Sequence, residues 1–251
     1  AGAFLVISVA AYCLLKKQHL LFARRSMGIG LTVALTACVL QLFSGDRSGR
    51  IVAKHQPAKL AALEALYKTE AGGPLTLFGI VNSKEEKLDY AIQIPHLLSI
   101  LSFGDPNAEV KGLDQVPKAD WPPVTALFNV YRVMLAMWGS MLALALLGAY
   151  LLYKQTLIAH PWVLRLMVLS AAFPQIANQA GWYCAESGRY PWIVYGLLRI
   201  SEGLSKSVTA NQVLSSMEKI KHGPEAGGDD ASTPYHGLHH LLEEKTHDSH
   251  F

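Results

Sequence analysis

The chain has 251 residues, 51% of them hydrophobic and only 16% charged, with a mean hydropathy of +0.23 and a formal net charge of +3. That is too apolar for an ordinary soluble domain, and no Walker, Rossmann or zinc-finger spacing interrupts it. The apolar residues are clumped, so the fold class expected is all-α and integral to a membrane: a transmembrane helix bundle with a long extracytoplasmic loop containing a short amphipathic helix.

Four apolar runs carry this reading. Residues 1–15 and 27–43 hold no charge, 124–153 hold only Arg132, and 162–185 hold only Arg165. The first run opens without Met, a basic n-region or a cleavage pattern, so it reads as a truncated span rather than a signal peptide, in a chain that is a fragment or a processed or split product. Lys16, Lys17, Arg24 and Arg25 follow it with no acidic residue, and Lys154 follows the third span likewise. Lysine and arginine in short loops mark the cytoplasmic side. The stretch 45–123, with nine Lys/Arg against ten Asp/Glu, is then placed outside. Within it, 56–70 predicts an amphipathic helix with Pro57 near its start and Leu60, Leu63, Leu66 and Tyr67 at helical spacing. Pro95, Pro117, Pro122 and Pro123 break up the remainder, and Trp121 before the third span suits a membrane-interface anchor. The domain division expected is 1–43 (two spans), 44–123 (outer loop), 124–200 (two spans and the GWYCAESGRYPW motif) and 201–251 (polar tail). The tail histidines His236, His239, His240, His247 and His250 read as solvated, and Cys13, Cys38 and Cys184 as small packing residues.

Few residues in this pattern carry chemistry. Arg132 sits in a span at a cost of about 2.5–3.5 kcal/mol at a helix centre, and so needs a partner. Snorkelling and an anionic cofactor group such as a haem propionate are the two readings. Met134 lies two residues on, about 200° around the helix, and offers a thioether suited to low-spin haem. Glu186 ends the fourth span, with Trp182 one turn earlier and Arg189 three residues later. Its carboxylate could bind iron, pass protons or pair with Arg189. Lys59 and Glu64 on the loop helix read either as a solvated face or as a polar pair for a quinol head group.

Four motifs settle which family the chain resembles: GDRSGRIVAKHQPAKLAALE at 45–64, YRVM at 131–134, GWYCAESGRYPW at 181–192 and VYGLLRISEGLS at 194–205. They resemble subunit I of the cytochrome bd-type quinol oxidases, bacterial inner-membrane terminal oxidases, up to about residue 225. The resemblance implies Met134 on the iron of a low-spin haem b and Arg132 beside that haem. It implies Glu186 on the iron of a high-spin haem b, Trp182 among the haems and Arg189 on propionates. It implies Lys59 and Glu64 at quinol oxidation in the extracytoplasmic Q loop. Also implied are haem d, reduction of oxygen to water with generation of a proton-motive force, ubiquinol or menaquinol as donor, and as partners subunit II, a small single-span subunit and membrane lipid, with no nucleic acid. The family's four amino-terminal helices and its last span have no counterpart here, so further chain is expected to complete the haem sites. The alternatives are a non-catalytic quinol-binding or scaffold remnant lacking haem d, and a transporter fragment lined by Arg132 and Glu186.

Overall fold

The computed structural model describes residues 1–203 together with Gln212 and Ser215. The first of two units, Ala1–Gly203, begins with α1 (Gly2–Leu15) and α2 (Leu20–His55). α3 (Pro57–Glu64) follows, then strands β1 (Glu70–Ala71), β2 (Leu75–Asn82) and β3 (Lys87–Ile94). Next come α4 (Leu97–Phe103), β4 (Glu109–Val110) and two 3-10 turns, Leu113–Gln115 and Lys118–Asp120. The unit closes with α5 (Val124–Tyr153), α6 (Pro161–Leu169), α7 (Phe173–Ser187), and the short strands β5 (Trp192–Val194) and β6 (Leu198–Arg199). In the second unit Gln212 and Ser215 are helical, and the Ser215 hydroxyl donates to the Gln212 carbonyl at 3.0 Å. The tail histidines lie outside the described residues.

Among the described residues, two helices are long and apolar enough to cross a membrane: α2, and the one that contains α5. At 1.5 Å per residue, 36 residues reach about 54 Å and 30 residues about 45 Å, against a hydrocarbon layer of about 30 Å. Both helices therefore overshoot. For α2 the surplus is its polar end, where Arg50 pairs with Asp46 one turn earlier at 2.9 Å. The outer loop expected from residue 44 thus starts as helix and leaves it only at Gln56, where Pro57 forbids a helical predecessor. For α5 the surplus is its first turns, up to about Arg132.

The core has two parts. One joins α1, α2, α5 and α6 through Ile7, Ala11, Met27, Leu31, Leu144, Val163 and Met167. The other joins the segment 61–113 to the start of α5 through Ala61, Ala62, Leu98, Val110, Leu113, Leu127 and Phe128, and reaches α7 at Cys184.

Several expectations are corrected. The class is mostly helical rather than all-α, because three two-stranded antiparallel sheets pair β1 with β4, β2 with β3 and β5 with β6. The helix expected over 56–70 stops at Glu64, where Ala65 turns left-handed (φ 51°). Its buried residues are Ala58, Ala61, Ala62, Leu63 and Glu64, so the expected leucines Leu63 and Leu66 are in the core, with Leu60 and Tyr67 packed against it, and the alanines let α3 approach its neighbours closely. The span expected over 162–185 is two helices. Pro174, in the first turn of α7, lacks the N–H that would continue α6. At this break Ser170 is fully buried and its hydroxyl donates to the Met167 carbonyl at 2.7 Å. The Ser8 hydroxyl of α1 donates to the Val168 carbonyl at 2.8 Å. The half-buried Trp121 shares its indole N–H between the carbonyls of Leu113 (3.1 Å) and Val116 (2.8 Å), which pins the turn before α5.

Candidate functional site

The seven residues singled out in the sequence fall on three neighbouring pieces: Lys59 and Glu64 on α3, Arg132 and Met134 on α5, Trp182, Glu186 and Arg189 on or just past α7. Arg132 has a protein partner, which neither sequence reading supplied. Its Nη2 lies 2.6 Å from Glu64 Oε2, and Nη1 reaches Oε1 at 3.5 Å. The side chains are 13% and 3% exposed, so this is a buried ion pair. The Thr76 N–H adds a donor to Oε2 at 3.3 Å. The guanidinium also stacks on Phe128, 4.5 Å from its ring centre, and on Tyr131 at 5.2 Å. Burial pushes the Glu64 carboxyl above the usual glutamate range, with Arg132 and the Thr76 N–H pulling against it.

Met134 points elsewhere, as a two-residue step predicts. A Cβ on Gly181 of α7 would lie 3.2 Å from the Met134 sulfur. The glycine therefore lets the thioether reach the α7 backbone one residue before Trp182, which is 64% exposed.

At the carboxyl end of α7, Glu186 and Arg189 form the i, i+3 ion pair read from the sequence, both about half exposed. Lys59 does not pair with Glu64, which leaves α3 on another side. Its ammonium donates to the Ala185 carbonyl at 3.3 Å, and its stem covers Gly188, where a Cβ would come within 2.7 Å of the lysine chain. Burial pulls the Lys59 amine below the usual lysine range, with Cys184 and Glu186 opposing that pull and Arg189 adding to it.

Cys184 is buried beside Lys59 and Tyr131, the small packing residue expected. Sequence reasoning missed Thr76, which acts through its backbone and so leaves no side-chain signal. It also missed the hairpin 192–199. There burial raises the Tyr195 phenol, and the nearby Ala58 N–H in the first turn of α3 opposes that rise.

The donor set is compatible with the haem that the resemblance implies. The Met134 thioether is a soft axial donor beside a residue that leaves room for it. Arg132 Nε is buried without a hydrogen-bond partner, so the guanidinium keeps a free donor for an anionic group. Glu186 offers an accessible carboxylate with a guanidinium alongside.

Comparison with known proteins follows this geometry. Residues 1–220 match the model of the family described as cytochrome bd terminal oxidase subunit I. The chain is 34% identical over 227 residues to the cytochrome bd ubiquinol oxidase subunit 1 of Bacillus subtilis (strain 168), covering 86% of this chain and 48% of that protein. It is 25% identical to the cytochrome bd-II ubiquinol oxidase subunit 1 of Escherichia coli (strain K12), covering 87% of this chain and 55% of that one. The structure of bd oxidase from Geobacillus thermodenitrificans superposes with a TM-score of 0.75 at 32% identity, over 88% of this chain and 51% of that chain. This chain thus spans about half the length of the curated relatives it matches.

Proposed function

Since the chain belongs to the cytochrome bd terminal oxidase subunit I family, we propose that it forms part of the haem-bearing subunit of a bacterial inner-membrane oxidoreductase that oxidises quinol and reduces oxygen to water. The observation that carries this reading is the gathering of Lys59, Glu64, Arg132, Met134, Glu186 and Arg189 onto α3, the start of α5 and the end of α7. Met134 would hold a low-spin haem b and Glu186 a high-spin haem b, with haem d completed by further chain. Bound haem supplies the one-electron carriers between quinol and oxygen.

The chain's own groups supply position and charge. Arg132 keeps a positive charge within two residues of Met134, favouring a reduced, more negative centre there. Glu64, with its carboxyl raised by burial above the usual glutamate range, is a more basic carboxylate and suits acceptance of a quinol proton. Lys59 has further N–H donors beyond the one given to Ala185, and these can orient a quinol oxygen. Residues 56–123 would form the extracytoplasmic quinol loop, in keeping with the Lys/Arg bias of the short loops. Quinol protons would then leave outward and contribute to a proton-motive force. Subunit II, a small single-span subunit and lipid complete the assembly in this reading.

The test is a dithionite-reduced minus oxidised spectrum of the assembled complex carrying Met134→Leu. The low-spin haem b band should vanish while the haem d and high-spin bands persist. An unchanged low-spin band removes Met134 as ligand. A wild-type complex with no haem d band replaces the oxidase reading with that of a non-catalytic quinol-binding scaffold.

A further inference from the structure

The hairpin β5–β6 holds a second charge pair that joins parts of the chain 79 positions apart. Arg199 Nη2 lies 2.8 Å from Asp120 Oδ1. The Asp120 side chain is 11% exposed, and its Oδ1 accepts no directed hydrogen bond. The approach of Arg199 is too bent to count as a hydrogen bond, so the contact is an ion pair, and Arg199 is what neutralises that buried oxygen. Arg199 is itself held from above. It is the cross-strand partner of Trp192, and its guanidinium lies 5.0 Å from that ring centre.

What the pair connects gives it meaning. Asp120 ends the 3-10 turn that leads into α5, next to Trp121, whose indole is pinned by two carbonyls. The same hairpin runs on from the end of α7, where the Lys59 stem covers Gly188 and its ammonium rests on the Ala185 carbonyl, one residue before Glu186. Just past the other end of α3 the Leu66 carbonyl takes the Leu113 N–H at 3.0 Å, which ties α3 to the segment that ends in Asp120. The contacts therefore run in a closed ring: Asp120, Arg199, the hairpin, the end of α7, Lys59, α3, Leu66, Leu113 and back to Asp120. Among the described residues, Arg199–Asp120 is the ion pair joining this hairpin to the segment before α5.

We propose that Arg199 and Asp120 are positioning residues, a clasp that closes this ring and holds α3, with Lys59 on it, in the register needed for quinol. The proposal rests on the quinol-oxidase reading and adds a role for two residues to which that reading assigns none. Opening the clasp leaves Met134, Glu64 and Arg132 in place but lets the amino end of α3 shift. A displacement of that size weakens substrate placement without touching the redox centres.

The experiment uses the assembled complex with Arg199→Gln, Arg199→Lys and the charge-exchanged double variant Asp120→Arg/Arg199→Asp. Two readouts are taken: quinol-dependent oxygen uptake, separated into KM and kcat, and the rate at which an amine-acylating reagent modifies Lys59, followed by mass spectrometry. Arg199→Gln should raise the quinol KM roughly tenfold with kcat and the reduced haem spectrum unchanged, and should speed Lys59 acylation several-fold. The lysine variant and the exchanged pair should restore both toward wild type. Unchanged KM and unchanged Lys59 acylation in Arg199→Gln overturn the clasp. So does failure of both Arg199→Lys and the exchanged pair to recover a KM that Arg199→Gln has raised. If wild type shows no quinol turnover but Lys59 still acylates faster in Arg199→Gln, the clasp stands and the quinol reading falls.

Discussion

Replacing Arg132 by methionine keeps most of the stem that lies over Phe128 and Tyr131 and removes the charge. Glu64 is then left with one donor, the Thr76 N–H at 3.3 Å, on a side chain only 3% exposed. Breaking a buried pair on one side costs about 3–5 kcal/mol. The carboxyl has an escape, since it can take up a proton. Neutralising a glutamate of usual pKa about 4.3 costs about 4 kcal/mol at pH 7 and only about 1 kcal/mol at pH 5. The destabilisation of Arg132→Met should therefore be pH-dependent. In the variant the folded carboxyl holds its proton to higher pH than the unfolded one. Stability is intact below the usual glutamate range and is lost as pH rises toward neutrality. The assay is the thermal unfolding midpoint of the purified complex at pH 5 and pH 7, for Arg132→Met, Glu64→Gln and the double variant. Glu64→Gln in the Arg132→Met background should recover most of the loss at pH 7, because no charge is then stranded. Equal losses at both pH values, or no recovery in the double variant, would refute the buried-pair account.

Three further outcomes follow from the geometry. Gly181→Ala places a methyl 3.2 Å from the Met134 sulfur, so the low-spin haem signal should shift while the protein stays assembled, and Gly181→Val should abolish that signal. Gly112→Ala sets a methyl 2.3 Å from the Lys68 carbonyl carbon, which is backbone and cannot swing away. It should lower the unfolding midpoint more than a typical surface change, with the Leu113 N–H to Leu66 carbonyl bond (3.0 Å) lost first in hydrogen exchange. In wild type, where burial raises the Glu64 carboxyl, stability should fall as pH rises through the carboxyl range, and Glu64→Gln should flatten that slope.

The two described helices long and apolar enough to cross a membrane were legible because apolar composition alone marks them, and α2 and α5 each contain an expected run. Their ends were not. The overshoot of α2 is written in the i, i+4 spacing of Asp46 and Arg50, but the apolar run ends at Phe43 and hydropathy gives no reason to carry the helix further. The break between α6 and α7 had a visible sign in Pro174, outweighed by the unbroken hydropathy around it. The hairpin β2–β3 leaves a weak trace, because Leu77, Phe78, Tyr90 and Ile92 are exposed and the strands lack a clean inside–outside alternation. The Glu64–Arg132 pair spans 68 positions and has no local signature at all. The need for a partner to Arg132 was clear from solvation, while the partner's identity depended on how closely the alanine face of α3 could approach α5.

The interruption between α6 and α7 has a mechanical consequence. A continuous helix through 161–187 would be a stiff rod, and any tilt at its Glu186 end would be carried to Pro161. Divided at Ser170, it has a joint. The two serine hydroxyls on the Met167 and Val168 carbonyls keep that joint from fraying in a low-dielectric setting, where an unpaired carbonyl is costly. One of those hydroxyls, Ser8, belongs to α1. The α7 segment bearing Gly181, Trp182 and Glu186 is thus a lever whose fulcrum is fastened to the first helix of the chain, and small rotations about it can be absorbed without disturbing the packing of α6 on α1.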